Sequence, residues 1–373
     1  MQIAVDARFL QADSISEYGN FAREVILRLA KLYAVYQFIF LSDSDLDPSI
    51  NLPENVTPVI ITPKPANVLL YKWWYDIQVP LALNKYKADI FICTSGLCSL
   101  TTSIPQFIIV QDLAFFHKPF FHKKSLFFYR RFTFRFLQKA RIIAVLSDFV
   151  KSEIISLYNV PAQKITVIGS AADSSFKPLD WEVREQVKEQ YAQGCEYFIF
   201  TGGLNPAKNL MNVLKAFSIF KKWQKTNMKL LIIVNSNEYE DQAEKLNSYK
   251  YKNETKLAEN LSGNELAQVT GGAYAMIFPS FYEGFGVAIL EAMQCEVPVI
   301  TSSHSSMAEI AGDAALYANP ESPEELAEQM KRIFKDEQLR NKLIIAGKER
   351  VKLYSWDKTI ALTSQLIQQV VSQ

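Results

Sequence analysis

Short apolar runs alternate with longer stretches of helical periodicity along almost the whole chain. Ile3, Ala4 and Val5 make the first run, and others cover residues 38–41, 59–61, 90–93, 107–110, 142–146 and 165–168. Runs this short, bounded by polar residues, read as buried strands. Between the first two, Ala22, Val25, Ile26, Leu29 and Leu32 recur at helical spacing and predict a helix over residues 21–32, with Gly19 just before it. Residues 69–86 read as one helix, whose aromatics Tyr71, Trp73, Trp74 and Tyr75 suit packing better than a binding platform. Ser147 is placed to cap a helix over residues 148–158. A small polar stretch, residues 171–178, reads as a linker.

A second series follows: a helix over 181–191, a strand over 197–200, a glycine-bearing loop over 201–209, and a helix led by Leu210, Val213, Leu214 and Phe217. Strands are predicted at 230–234, 275–278 and 297–300, with helices at 265–269, 287–293 and 308–312. Ser322, Pro323 and Glu325 have the spacing of a capping box, and residues 360–370 are amphipathic. Residues 235–261 are polar and charged and predict no element. Strands and helices in alternation call for parallel sheets covered on both faces, an α/β fold. A chain of 373 residues is long for one core, so two domains are expected.

The densest chemistry lies in residues 278–295. Gly284 and Gly286 flank Phe285 where a strand turns into a helix, and bare amides plus the helix dipole favour an anion there. Glu283 stands before the turn and Glu291 eight residues later. Phosphate at the turn with carboxylates on either side suits a nucleotide sugar; an ordinary tight turn with two surface glutamates is the alternative. The 201–209 loop repeats the theme, with Gly202 and Gly203 after a strand and Lys208 at the mouth of the next helix, suited to a diphosphate. It lacks P-loop spacing, and a solvated lysine would look the same. Gly19 alone reads as a plain helix start.

Composition narrows the field. Hydrophobic residues are 49% and charged residues 21%, an ordinary globular balance, and the net charge of +1 offers no global attraction for nucleic acid. Cys93, Cys98, Cys195 and Cys295 have no metal or disulfide spacing, and His117 and His122, five apart, do not stack on one helix face. No metal or cofactor is therefore expected. The start has no signal-peptide pattern and no run is long enough to span a bilayer, so a cytoplasmic chain is expected and the sequons at Asn55, Asn253 and Asn260 carry no weight. One segment stands apart. Residues 120–141 hold Phe120, Phe121, Phe127, Phe128, Phe132, Phe134 and Phe136 among Lys123, Lys124, Arg130, Arg131, Arg135, Lys139 and Arg141, with no acid. Contact with the inner face of a membrane is one expectation, a half-buried helix the other; the phenylalanines do not fall on one clean stripe.

With these residues in view, the chain resembles the retaining family-4 glycosyltransferases of the GT-B type. The resemblance runs nearly end to end. It is most specific in residues 279–293, which match the family's pattern of two glutamates with seven residues between them, Glu283 and Glu291. Residues 297–302, 308–315, 320–324, 201–209, 146–149 and 160–165 carry it further. It implies two Rossmann-like domains facing each other across a cleft: residues 1–178 on the acceptor side, joined by 357–373 crossing back as a helix, and residues 179–356 binding the nucleotide sugar. It also implies roles. Glu283 would hold donor-sugar hydroxyls. The amides of Phe285, Gly286 and Val287, beside Gly284, would meet the sugar and diphosphate. Glu291 would bind the ribose. Lys208, with Gly203 in its loop, would neutralise the diphosphate, and Gly19 would belong to a first-domain loop closing on the donor. No metal would be needed, and the leaving phosphate would take the acceptor's proton.

Two positions depart from the family pattern. Ala207 stands where an arginine is common, removing charge-assisted hydrogen bonds of about 1.5–3 kcal/mol. Gln111, before Asp112, stands where a histidine is usual; it can hydrogen-bond a sugar but cannot take up a proton. Arg8, or a base within residues 120–141, would be the compensating cation. The expected function is sugar transfer from a nucleoside-diphosphate donor to a glycan or lipid-linked acceptor in polysaccharide or glycoconjugate synthesis. A weakened donor-binding protein on the same fold and a sugar-nucleotide epimerase are the alternatives.

Overall fold

Seven short apolar segments of the first half line up in one parallel sheet. They are β1 (Gln2–Asp6), β2 (Gln37–Ser42), β3 (Val56–Ile60), β4 (Ile90–Cys93), β5 (Gln106–Val110), β6 (Ile142–Val145) and β7 (Ile165–Val167), in the order β3-β2-β1-β4-β5-β6-β7. Six more, β8 (Tyr197–Phe200), β9 (Lys229–Val234), β10 (Thr255–Glu259), β11 (Ala275–Phe278), β12 (Val299–Thr301) and β13 (Ala315–Tyr317), form a second parallel sheet in the order β10-β9-β8-β11-β12-β13. This computed structural model describes residues 1–11, 17–65, 67–117, 123–234, 246 and 248–371. Central strands such as β8 and β11 are buried at every position, as parallel strands covered on both faces must be.

Contacts divide the chain into one unit of Met1–Ser170 with Trp356–Gln373 and a second of Ala171–Ser355. The final helix, Trp356–Val371, returns to the first unit. Trp356 packs on Phe21, 6.0 Å between ring centroids, with the Arg28 guanidinium 5.8 Å from its ring. Residues 171–178 go with the second unit because the Gln294 amide donates to the carbonyls of Asp173 and Phe176 at 2.9 and 2.7 Å.

The sheets differ from expectation at their margins. β10 lies within the polar stretch that predicted no element, and β13 was not predicted either. Both are edge strands; in β10 only Ala258 is buried, so no apolar run marks it. The expected single helix over 69–86 is three pieces: Val68–Trp73, a wider π-type turn at Trp74–Gln78, and Val79–Lys85. The helix expected to start after Gly19 begins at Glu17, so Gly19 sits buried in its first turn. Ser322 accepts from the Glu325 amide at 3.1 Å, but the Glu325 carboxylate accepts from the Asn319 amide at 3.0 Å; the reciprocal box is made instead by Ser262 and Glu265. His122, Phe120 and Phe121 lie outside the described residues.

Each sheet has one place where strand order reverses, between β1 and β4 in the first and between β8 and β11 in the second. The loops leaving two such strands diverge to opposite faces and leave a gap at their carboxyl ends, the usual ligand position in open α/β sheets.

Candidate active site

In the second unit the reversal gap is lined by the two loops that the sequence marks out. After β8 the chain passes Thr201, Gly202 and Gly203 (φ +61°), makes a short turn at Pro206–Lys208, and enters the helix Leu210–Trp223. After β11 it runs from Pro279 to Gly286 and enters the helix Val287–Gln294. Gly286 sits at φ +86°, a conformation other residues avoid, and its helix has no side-chain cap. Main-chain and amide hydrogen bonds stitch the loops together. The Phe281 amide donates to the Ala207 carbonyl at 2.8 Å, and Asn209 Nδ2 donates to the carbonyls of Pro279 and Pro320 at 3.0 and 2.6 Å.

Lys208 and Glu283 meet in this frame. Lys208 Nζ lies 3.0 Å from Glu283 Oε1 and 3.2 Å from Oε2, with side chains 13% and 8% exposed. The Lys208 stem runs over Gly202: a Cβ there would stand 2.5 Å from Lys208 Cβ and 2.6 Å from Phe200 Cζ, so only glycine admits the lysine. Phe278 lies under the ammonium, 5.3 Å from ring centroid to Nζ. Glu283 is held through its backbone: its amide donates to Ser305 Oγ at 2.9 Å and its carbonyl accepts from Ser306 Oγ at 2.9 Å. Its carboxylate can therefore face a ligand without the loop giving way.

Further residues were not singled out from sequence. Ser305 and Ser306 belong to no motif, and the signal available was their place before the short helix Met307–Ala311. Arg350 and Tyr354 brace that helix from the opposite end. Arg350 donates to the carbonyls of Ile310 and Glu309, and the Tyr354 ring meets Phe285 edge-on at 5.6 Å. The hydroxyls of Thr201 and Ser280, at the ends of β8 and β11, are buried without a hydrogen-bond partner among the described residues. Such groups are costly unless something satisfies them.

Lys208, Gly203, Glu283, Gly284, Phe285, Gly286 and Val287 are thus brought to one gap. Glu291 follows within the helix, half-buried. Burial pushes the Cys295 thiol up to about 12, helped by the Glu291 charge, so that thiol is inert at neutral pH. Gly19 and Gln111 belong to the first unit. Gln111 is buried just past β5 and donates its amide to the Thr94 carbonyl at 3.1 Å. Asp112 caps the short helix behind it, accepting from the Ala114 amide at 2.9 Å.

Arg8 is engaged within the first unit. It closes on Asp6 at the end of β1, with Nε 3.0 Å from Oδ1 and Nη2 2.9 Å from Oδ2. Tyr75 donates to the same carboxylate and accepts from Arg8, and Cys93 donates to it at 3.4 Å. The rings of Trp74, Tyr75 and Tyr71 surround the guanidinium at 4.5, 5.0 and 5.2 Å. Burial alone would raise the Asp6 pKa, but the charge and hydrogen bonds of Arg8, with the Tyr75 hydroxyl, hold it below the usual carboxylate value.

Comparison with known proteins gives the family and the fold. Residues 183–350 match the family described as glycosyl transferases group 1, and residues 19–176 match glycosyltransferase family 4. The O-antigen chain mannosyltransferase B of Escherichia coli is 29% identical over 258 residues, 68% of this chain and 67% of that one. Among solved structures, sucrose-phosphate synthase of Thermosynechococcus elongatus superposes with a TM-score of 0.81 at 17% identity, covering 100% of this chain and 99% of that one. HepE of Anabaena, in complex with UDP-glucose, gives 0.77 at 13% identity, covering 99% of both. The chain belongs to the group 1 glycosyltransferases and has their GT-B fold of two Rossmann-like domains.

Proposed function

We propose that the protein transfers a hexosyl group, with retention of configuration, from a nucleoside-diphosphate sugar held at the β8/β11 gap to a glycan or lipid-linked acceptor of a surface polysaccharide. The observation that carries the proposal is the Lys208–Glu283 pair between two glycine loops at the carboxyl ends of those strands. An arriving diphosphate takes a share of the Lys208 ammonium and the amides at the start of the helix Val287–Gln294. That frees the Glu283 oxygens to accept hydroxyls of the sugar. Glu291, within the same helix, takes the ribose. The bond from the anomeric carbon to the diphosphate oxygen breaks, its electron pair going to that oxygen. Lys208 and the loop amides stabilise the charge as it grows. The acceptor oxygen forms the new bond from the same face, and its proton passes to the leaving phosphate. The name of the Escherichia coli relative makes mannose the first sugar to try.

The test is release of nucleoside diphosphate from GDP-mannose and from UDP-hexoses, with lipid-linked and glycan acceptors, and the anomeric configuration of the product by NMR. Release that falls in Lys208→Ala and Glu291→Ala, with a retained anomer, is the expected outcome. No release from any donor, unaltered release in both variants, or an inverted product would sink it.

A further inference from the structure

The helix Lys123–Lys139 presents a surface that the donor site does not use. The expectation that its phenylalanines form no clean stripe holds only until they are sorted by depth. Phe128, Thr133, Phe136 and Leu137 are buried, and Phe132 packs partly buried beside them. Phe127, Arg130, Arg131, Phe134, Arg135 and Lys139 are exposed, Phe127 at 68% and Phe134 at 48%. They cover one side of the helix over about 18 Å, with Phe127 and Phe134 in line two turns apart. The helix carries no carboxylate, and two nearby ones are paired, Asp76 with Lys72 and Glu153 with His117. So this face carries only positive charge, with its two exposed aromatic rings two turns apart.

We propose that this stripe docks the protein on an anionic lipid bilayer, with Phe127 and Phe134 entering the boundary between headgroups and acyl chains. Arg130, Arg131, Arg135 and Lys139 lie against the lipid phosphates. The charge complementarity is local, since the whole chain carries only +1. Long arginine stems let each guanidinium stay at phosphate level while the neighbouring ring sits deeper, which a planar interface rewards. A symmetric pairing of two copies would set these bases against themselves. Single-stranded nucleic acid calls for a groove, and this is the convex ridge of one helix. The inference does not depend on the transfer reaction, and its test does not measure transfer.

The full chain is floated with vesicles of phosphatidylcholine alone and with about a third of phosphatidylglycerol. Binding to the acidic vesicles only, weakened by high salt, is expected. Each well-placed base contributes about fivefold, so Arg130→Gln/Arg131→Gln/Arg135→Gln should bind on the order of a hundredfold more weakly with an unchanged Tm. Phe127→Ala/Phe134→Ala should also bind more weakly, and a Phe127→Trp indole should shift its emission to the blue on acidic vesicles but not on neutral ones. Equal binding to neutral vesicles, no binding to acidic ones, or wild-type binding by the folded triple variant would overturn the proposal. So would loss, in the triple variant, of a dimer or of nucleic-acid binding while vesicle binding stays the same.

Discussion

The two strand-order reversals are built alike and filled differently. At β1/β4 the chain uses its own side chains: Arg8 locks Asp6 in a forked ion pair, Tyr75 and Cys93 add hydrogen bonds, and aromatic rings cover the cation. At β8/β11 the corresponding cation and carboxylate, Lys208 and Glu283, come from different loops and keep partial access to solvent. A guanidinium matched to its carboxylate at two points and stacked under rings has little left for a ligand. An ammonium on a flexible stem can be shared. On the proposed reading, what separates the filled gap from the donor gap is the identity of the cation and the glycines around it, since strand order is common to both.

Breaking the first gap should have the largest effect on stability. Arg8→Met strands the buried Asp6 charge and should cost about 3–5 kcal/mol by chemical denaturation, most of it recovered by adding Asp6→Asn. Breaking the second should act on turnover. Lys208→Ala should lower the transfer rate by about 10²–10³-fold, as loss of one aimed donor does, with a smaller stability cost than Arg8→Met because the Lys208–Glu283 pair keeps more contact with solvent. Gly202→Ala forces its Cβ into Lys208 and Phe200 and should destabilise by about 1–3 kcal/mol while weakening donor binding. Gly263→Ala, in open space, is the control and should be neutral to slightly stabilising in the same measurements.

A pH titration sharpens the contrast in a smaller way. Because the folded Asp6 pKa lies below its unfolded value, its contribution is fully present above the unfolded value and is lost as pH falls through the folded one. Unfolding free energy should therefore drop through the acid range below about pH 4, and less steeply in Asp6→Asn/Arg8→Met. Loss of stability on the alkaline side traced to Asp6 would contradict the ion-pair account.

The sequence made the binding gap legible and the filled gap illegible, for a physical reason. Glu283, Gly284, Gly286 and Lys208 lie in short stretches whose spacing alone puts them at strand-to-helix turns. Asp6, Arg8, Tyr75 and Cys93 are brought together across up to 87 residues, and the π-type turn that aims Tyr75 at Asp6 leaves no periodicity signal within an aromatic helix. Arg8 therefore looked like a free cation. Central strands were legible from apolar runs, and the edge strand β10 was not, because only Ala258 of it is buried. The helix Lys123–Lys139 was visible as an element, but which phenylalanines face outward depends on what packs against it. Ser305 and Ser306 carry the Glu283 backbone through side-chain contacts that no local pattern encodes.

The central claim is that the β8/β11 gap, and not its β1/β4 counterpart, holds the donor's diphosphate. Thermal unfolding with and without the nucleoside diphosphate, in the wild type, Lys208→Ala and Arg8→Lys, tests it most directly. A ligand at about a hundred times its Kd should stabilise the wild type by about 2.7 kcal/mol. Lys208→Ala should lose most of that increment, and Arg8→Lys should keep it from a lower starting Tm. An increment that survives Lys208→Ala and vanishes in a folded Arg8→Lys would place the ligand at the other gap and contradict the account.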